Sequence, residues 1–376
     1  MMLFIYDRMK YNHQYTMNQI EKNDSLIKLY SDIFAVRTDY IPLIITPKDM
    51  SLPKPDEFSN NLKTAFQKAI HASQAKAEIN ADWLPIINIS YFQCIAIPSI
   101  FKATIVNIPE SEPIPKPLFS SVQQALEVPI PELKGSIIEK LLADISQAQK
   151  LLPEGWNLSF PPTASPFDLA TLLLGDSFFA DMILSPSECK AFLQLLTELC
   201  IELFTLVKKH LGLGENQWIT NRGIFFPGLR LPCDTIVNYS PALIEKFVLP
   251  VLESFAKELG PLCLHFCTEP APAGHVLPVL LKSDSVLAVD NWQGFNVFAG
   301  DNSPVHSQRK ISLISTHDLS SEEKIDAFFE LPFVKNISRK NNRAIVVATE
   351  TDSVETGKIL YKYWQKKQNH DSEGIQ

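Results

Sequence analysis

NYSPALIEKFVLPVLESFAKELGPLCLHFC, residues 238–267, reads as one helix running into one buried strand. Ser240–Pro241 is a helix start, because proline costs nothing in a first turn whose N–H groups have no helical partner. Gly260 is a stop, the residue type that leaves a helix with least strain. Beyond it CLHFC (263–267) has the length and apolar content of a strand covered on both faces. Helical patterns and apolar runs of this kind alternate in both directions along the chain.

Seven further runs of the same kind are IPLIIT (41–46), LPIIN (84–88), WNLSF (156–160), QWITN (217–221), SVLAVD (285–290), ISLIST (311–316) and AIVVAT (344–349). Helical patterns separate them. Leu62, Phe66 and Ile70 recur every fourth residue within 60–78, and similar patterns cover 137–152, 187–210, 322–329 and 354–367. Eight strands alternating with helices predict an α/β fold, a (β/α)8 TIM barrel over residues 40–367, with an N-terminal extension (1–39) and a flexible tail (368–376). The proline-rich IVNIPESEPIPKPLF (105–119) reads as an extended connection. With 13 glycines and no GxGxxG after a strand, an open dinucleotide-binding sheet is disfavoured.

The chain has 376 residues, enough for one barrel with additions, since such barrels take roughly 250 residues or more. A net charge of -8 argues against a nucleic-acid partner, which requires clustered lysine and arginine. No apolar run is long enough to cross a membrane, and MMLFIYDRMK is too short and too charged for a secretory core. Six cysteines without a CxxC pair suit a reducing compartment, so a cytoplasmic location is expected.

The stretches SPFDLATLLLGDSFFADMILSPSECKAFLQLLTEL (165–199) and 238–267 resemble the uroporphyrinogen decarboxylase superfamily, which includes zinc-dependent methyl-cobamide:thiol methyltransferases. The resemblance implies a (β/α)8 barrel with its site at the C-terminal ends of the strands. For the methyltransferases it implies zinc held by a His-x-Cys pair and a distant cysteine, a small-molecule thiol substrate, and a corrinoid protein as methyl donor. His265-Phe266-Cys267 matches the pair. Near the last strand the chain has Ala348, Thr349 and Glu350 where the cysteine would stand. The decarboxylases carry an arginine motif after the first strand to hold substrate carboxylates; PKDMSLPKPDEF (47–58) contains no arginine. The resemblance leaves open a decarboxylase of a carboxylate or tetrapyrrole, and a non-catalytic barrel that binds a ligand or partner.

Read residue by residue, Cys263, His265 and Cys267 alternate and so share one face of their strand. An imidazole and a thiolate two residues apart can chelate zinc, with Glu350, Glu269 or His275 as third ligand. The same two residues would also serve as core packing. The resemblance implies that Asp234, in RLPCDTIVNYSP, faces the mouth, where it would act as a general base or bind a substrate amine; by type and place it reads also as a loop or capping aspartate. Tyr91, Arg222, Asp290, Asn291 and Trp292 follow strands and are candidate substrate-binding residues. His317-Asp318 reads as a helix start.

Overall fold

A computed structural model describes residues 19–89, 92, 94–108, 111–130, 132–133, 136–214, 216–267, 274–291, 310–335, 337 and 342–373. Its centre is a six-stranded parallel sheet. The strands, named in chain order, are β1 (Leu43–Pro47), β8 (Leu229–Pro232), β9 (Leu262–His265), β10 (Val286–Asp290), β11 (Ile311–Thr316) and β12 (Arg343–Thr351). They lie in the order β1-β12-β11-β10-β9-β8, all parallel. The remaining strands are short. β2 (Ile86–Ile87) pairs parallel with β5 (Asn157–Leu158), β3 (Ile105–Val106) antiparallel with β4 (Ile114–Pro115), and β6 (Trp218–Ile219) antiparallel with β7 (Phe225–Phe226).

The apolar runs become strands because helices cover the sheet, so both faces of each strand are withdrawn from water. All four residues of β9 are buried, as are Val286 and Ala288 to Asp290 of β10. The helix Leu62–Ile79 packs on β1 and β2, and the helix Val354–Glu373 packs on β1 and on Leu62–Ile79. The expected tail therefore continues as helix to Glu373. The longest helix, Pro186–Leu211, ends at Gly212 with φ +70°, and Lys208, Lys209 and His210 in its last turn complement the helix dipole.

Each of the eight expected runs contains a strand, but one is not the strand expected. The run 217–221 forms only β6, which turns back antiparallel on β7. The place beside β9 belongs to β8, with Pro232 opposite His265. The expected helix after Ser240–Pro241 is also interrupted. Residues Ile244–Val248 form a π segment before the helix Leu249–Leu259 resumes. Pro250 has no N–H to donate and its ring crowds the preceding turn, and the wider turn, with Leu249 N–H donating to Ile244 O, accommodates it. The proline-rich connection carries the β3–β4 ribbon.

Backbone bonds extend beyond the main sheet. Asp82 N–H donates to Leu43 O (3.2 Å), and Phe160 N–H donates to Ile219 O (2.8 Å). The β6–β7 turn reaches across the structure. Gly223 O accepts from Leu84 N–H (3.0 Å) and Asn221 O from Asn88 Nδ2 (3.2 Å), both beside β2. Arg222 of the same turn donates to Thr316 Oγ1 (3.0 Å) at the end of β11.

A second set of bonds ties the start of the described chain to its end. Residues 19–34 are helical, and Tyr30, Ile33 and Phe34 are buried. Tyr40 and Tyr361 hydroxyls donate to the Asp82 carboxylate (3.0 and 2.7 Å), as does Leu43 N–H (3.0 Å). Trp364 Nε1 donates to Ile41 O (3.0 Å), and Ile41 N–H to Gln368 Oε1 (2.7 Å). No helix among the described residues is long and apolar enough to cross a membrane.

Candidate metal centre

The parallel register of β8, β9 and β10 brings three chain ends together. Pro232 lies opposite His265, and His265 opposite Asp290. Cys233 N–H donates to His265 O (2.6 Å), which carries the β8–β9 pairing one residue further. The chain then turns into a 3-10 segment, Asp234–Asn238. Asp234 thereby stands level with Cys267, whose N–H donates to Asp234 Oδ1 (2.8 Å).

Three donor atoms of different chemistry converge there. The Asp234 carboxylate, the His265 imidazole and the Cys267 thiol each offer one, all within 4.8 Å of one another. His265 Nε2 is 3.6 Å from Cys267 Sγ and 4.0 Å from Asp234 Oδ1. Bonds of about 2.0–2.3 Å at tetrahedral angles separate ligand atoms by roughly 3.3–3.8 Å. Small side-chain adjustments suffice to close the set on one ion. Nitrogen, sulfur and oxygen are all donors that zinc accepts.

The histidine tautomer fits the same purpose. His265 Nδ1–H donates to the carbonyl oxygen of Asp290 (2.8 Å). A carbonyl only accepts, so Nδ1 carries the hydrogen, and Nε2 is the ring nitrogen left facing Cys267 and Asp234. The ring is 7% exposed, while Cys267 and Asp234 are open to solvent. Burial pushes the Cys267 thiol up to about 11, and the charges of Asp234 and Asp290 add to that. A group of anionic donors that resists gaining another negative charge is a group that a cation would relieve.

Beneath the three donors lies a buried ion pair. Arg230 of β8 reaches over β9 to Asp290 of β10, with Nε and Nη2 both 2.7 Å from Oδ2. Arg222 Nη1 is 4.0 Å from Oδ1, and His265 Nδ1 is 3.5 Å from Oδ2. Burial alone would raise the Asp290 carboxyl. The Arg230 and Arg222 guanidiniums and the His265 hydrogen bond outweigh it and hold the group far below the usual carboxylate range. A contact from β8 to β10 must pass over β9, so Arg230, His265 and Asp290 share one face of the sheet. Arg230 was not singled out in the sequence. Its signal was a lone charge within an otherwise apolar strand, which in a buried sheet demands a partner.

The other expected residues divide. Asp290 and Arg222 lie in the layer beneath the donors. Asn291 is buried and its N–H extends the sheet to Ile314 O (3.1 Å). Glu350 does not join the cluster. It is exposed on β12 opposite Thr46, three strands from β9, about 14 Å along the sheet at usual strand spacing. Asp234, expected as a base or amine ligand, is the third member of the cluster instead. His275 donates Nε2–H to Tyr239 O (3.0 Å) and is not in the cluster. His317 is stacked edge-on against Phe328, and burial pushes it down to about 4. Tyr91, Glu269 and Trp292 lie outside the described residues. A cleft lined by Phe92, Ile97, Leu141, Phe160 and Phe204 is apolar and shares no residue with the donors.

No protein-family model matches the chain, and no curated protein does. Among solved structures it superposes on a methyltransferase from Methanosarcina mazei. The TM-score is 0.58, over 90% of this chain and 97% of that one, at 13% sequence identity. The fold is shared with a methyltransferase. At that identity the likeness speaks for the fold, and the chemistry rests on the residues above.

Proposed function

We propose that this chain is a zinc-dependent, methyltransferase-like enzyme whose metal is held by Asp234, His265 and Cys267. The observation that carries the reading is the meeting of these three donors at the C-terminal ends of β8 and β9, with His265 Nε2 made available by its Nδ1 bond. Three protein ligands leave a fourth position for substrate, the pattern of a catalytic rather than a structural site. Zinc, when bound, supplies a Lewis acid that favours the thiolate form of a substrate thiol. Asp234 and Cys267 hold the solvent side, His265 the buried side, and Arg230 with Asp290 keeps the imidazole oriented. The substrate is a small thiol, which gains a methyl group on sulfur and loses its proton to water. The donor is a methylated corrinoid protein, as the family resemblance suggests, whose cobalt–carbon bond would break and leave both electrons on cobalt.

We infer further that the sheet closes as a (β/α)8 barrel over residues 40–367, with 1–39 as an extension. The bonds Asp82–Leu43 and Phe160–Ile219 support closure, and so does the extent of the superposition. The decarboxylase alternative needs cations in the first loop aimed at substrate carboxylates. Lys48 and Lys54 are both exposed, and Lys48 pairs with Asp352 (3.3 Å). The three converging donors favour a metal-binding site over a barrel in which these residues only pack.

Metal analysis of the full chain purified without chelator tests the assignment. The expected result is about one zinc per chain in the wild type and a marked loss in Cys267→Ser. A wild type without stoichiometric metal, or a Cys267→Ser variant with unchanged content, removes the proposal.

A further inference from the structure

Asp168 lies on another element, near the start of the helix Pro166–Leu174, yet it is bonded to the residue that follows Asp234. Asp168 Oδ1 accepts from Thr235 N–H (2.9 Å) and from Thr235 Oγ1 (2.5 Å). Asp168 Oδ2 accepts from Ser165 N–H (3.2 Å) and Ser165 Oγ (2.8 Å). Ser165 Oγ in turn accepts from Asp168 N–H (3.2 Å), forming the capping box of that helix. One oxygen is thus committed to the helix cap and the other to the turn at Thr235. A cap alone needs only the first.

The second commitment has a geometric consequence. Asp234 opens the 3-10 segment, is itself exposed, and is fixed at its carboxylate by one bond from Cys267 N–H. Without a hold on the next residue, the peptide at Asp234 could rotate and carry the carboxylate out toward water. Thr235 is held at both its N–H and its hydroxyl, so the backbone on that side of Asp234 is fixed. We propose that Asp168, acting through Thr235, is the positioning residue that keeps Asp234 in the metal set. This rests on the metal-centre reading above. Its role is distinct from capping, and Thr235 is the point at which the two can be separated.

Cobalt(II) alone, titrated into the metal-free full chain, is the probe, because a thiolate ligand gives a charge-transfer band that reports Cys267. Binding is measured for wild type, Asp168→Asn, Thr235→Val and Thr235→Ser, together with each melting midpoint. Asp168→Asn and Thr235→Val are expected to bind cobalt about tenfold more weakly, the usual scale for losing an outer-layer partner. The band per bound cobalt should be unchanged, since Cys267 still ligates. Thr235→Ser keeps the hydroxyl and should match the wild type. Wild-type affinity in both Asp168→Asn and Thr235→Val overturns the proposal. So does a Thr235→Ser variant as weak as Thr235→Val, or a band lost in step with affinity, which would mean the whole site collapsed. A wild type with no thiolate band removes the metal-centre reading and this proposal with it.

Discussion

Arg230 and Asp290 meet two strands apart, beneath the donor cluster, with Asp290 sealed from water and Arg230 nearly so. Two buried charges hold each other only while both are present; removing one leaves the other uncompensated, at a cost of about 3–5 kcal/mol. Arg230→Met should lower the urea-unfolding free energy by about that amount, with Arg222 offsetting part of the loss. A change under about 1 kcal/mol would mean that the pair does not govern this region. Lys76 gives a pH prediction at the same scale. It is buried, its ammonium lies 4.6 Å over the Trp83 ring, and burial followed by the Arg222 charge pushes it down to about 7. Its unfolded value is near 10.5, so between about pH 7 and 10.5 the unfolded chain binds a proton that the folded chain does not, and stability rises with pH across that window. Lys76→Met should be more stable than wild type at pH 7, by on the order of a few kcal/mol, and the gap should narrow toward pH 10. Denaturant titrations at pH 7 and 9.5 read it; a pH-independent gap would contradict the assignment. Among the site residues, His265 and Cys267 were legible from alternation along one strand, and Asp234 from its place before a Ser-Pro helix. Their convergence was not, because it depends on which strands are neighbours. Glu350 falls outside the cluster for that reason: it ends a strand as they do, but three places away.

At the scale of elements, β8 is the strand that the sequence concealed. LRLP (229–232) carries a guanidinium and a proline, so it does not read as a buried apolar run, and QWITN (217–221) does. What makes LRLP the last strand of the main sheet is its salt bridge to β10 and the absence of a side chain just before it. A Cβ on Gly228 would lie 1.9 Å from Pro261 O, so β8 can lie against β9 only with glycine there. Gly228→Ala should therefore part the starts of β8 and β9, lower the melting midpoint by more than 5 °C or prevent folding, and weaken metal binding in whatever folds, since those two strands carry all three donors. A variant with wild-type melting and metal affinity would show that the approach is not needed. The helices were the most legible elements, because their period and their Ser-Pro and glycine boundaries are local signals. The π segment at Ile244–Val248 was not read, although Pro250 is visible, because a proline in a helix can be met by a kink, a break or a widened turn.

For the molecule as a whole, a ligand that binds only the folded chain stabilises it by mass action, about 2.7 kcal/mol at a hundredfold excess over Kd. Zinc added to the metal-free chain should raise the melting midpoint of the wild type and leave that of His265→Ala unmoved. An equal rise in both would place the binding elsewhere. The α/β class was readable from eight apolar runs alternating with helices, and an expected closed barrel implies that the first run meets the last, although no local signal in either run names its partner. That pairing, with Leu43 opposite Val347, Trp364 bonded to Ile41 just before the first strand and Tyr361 to Asp82, bears on how the protein is made. A nascent chain exposes β1 long before β12, and the edge that β12 will occupy stays bare until that strand has been synthesised. Through that interval the apolar stretch Leu43–Ile45 is an open template for intermolecular pairing. Recovery of native protein should thus depend on chaperone supply during translation more than on the stability of the finished fold.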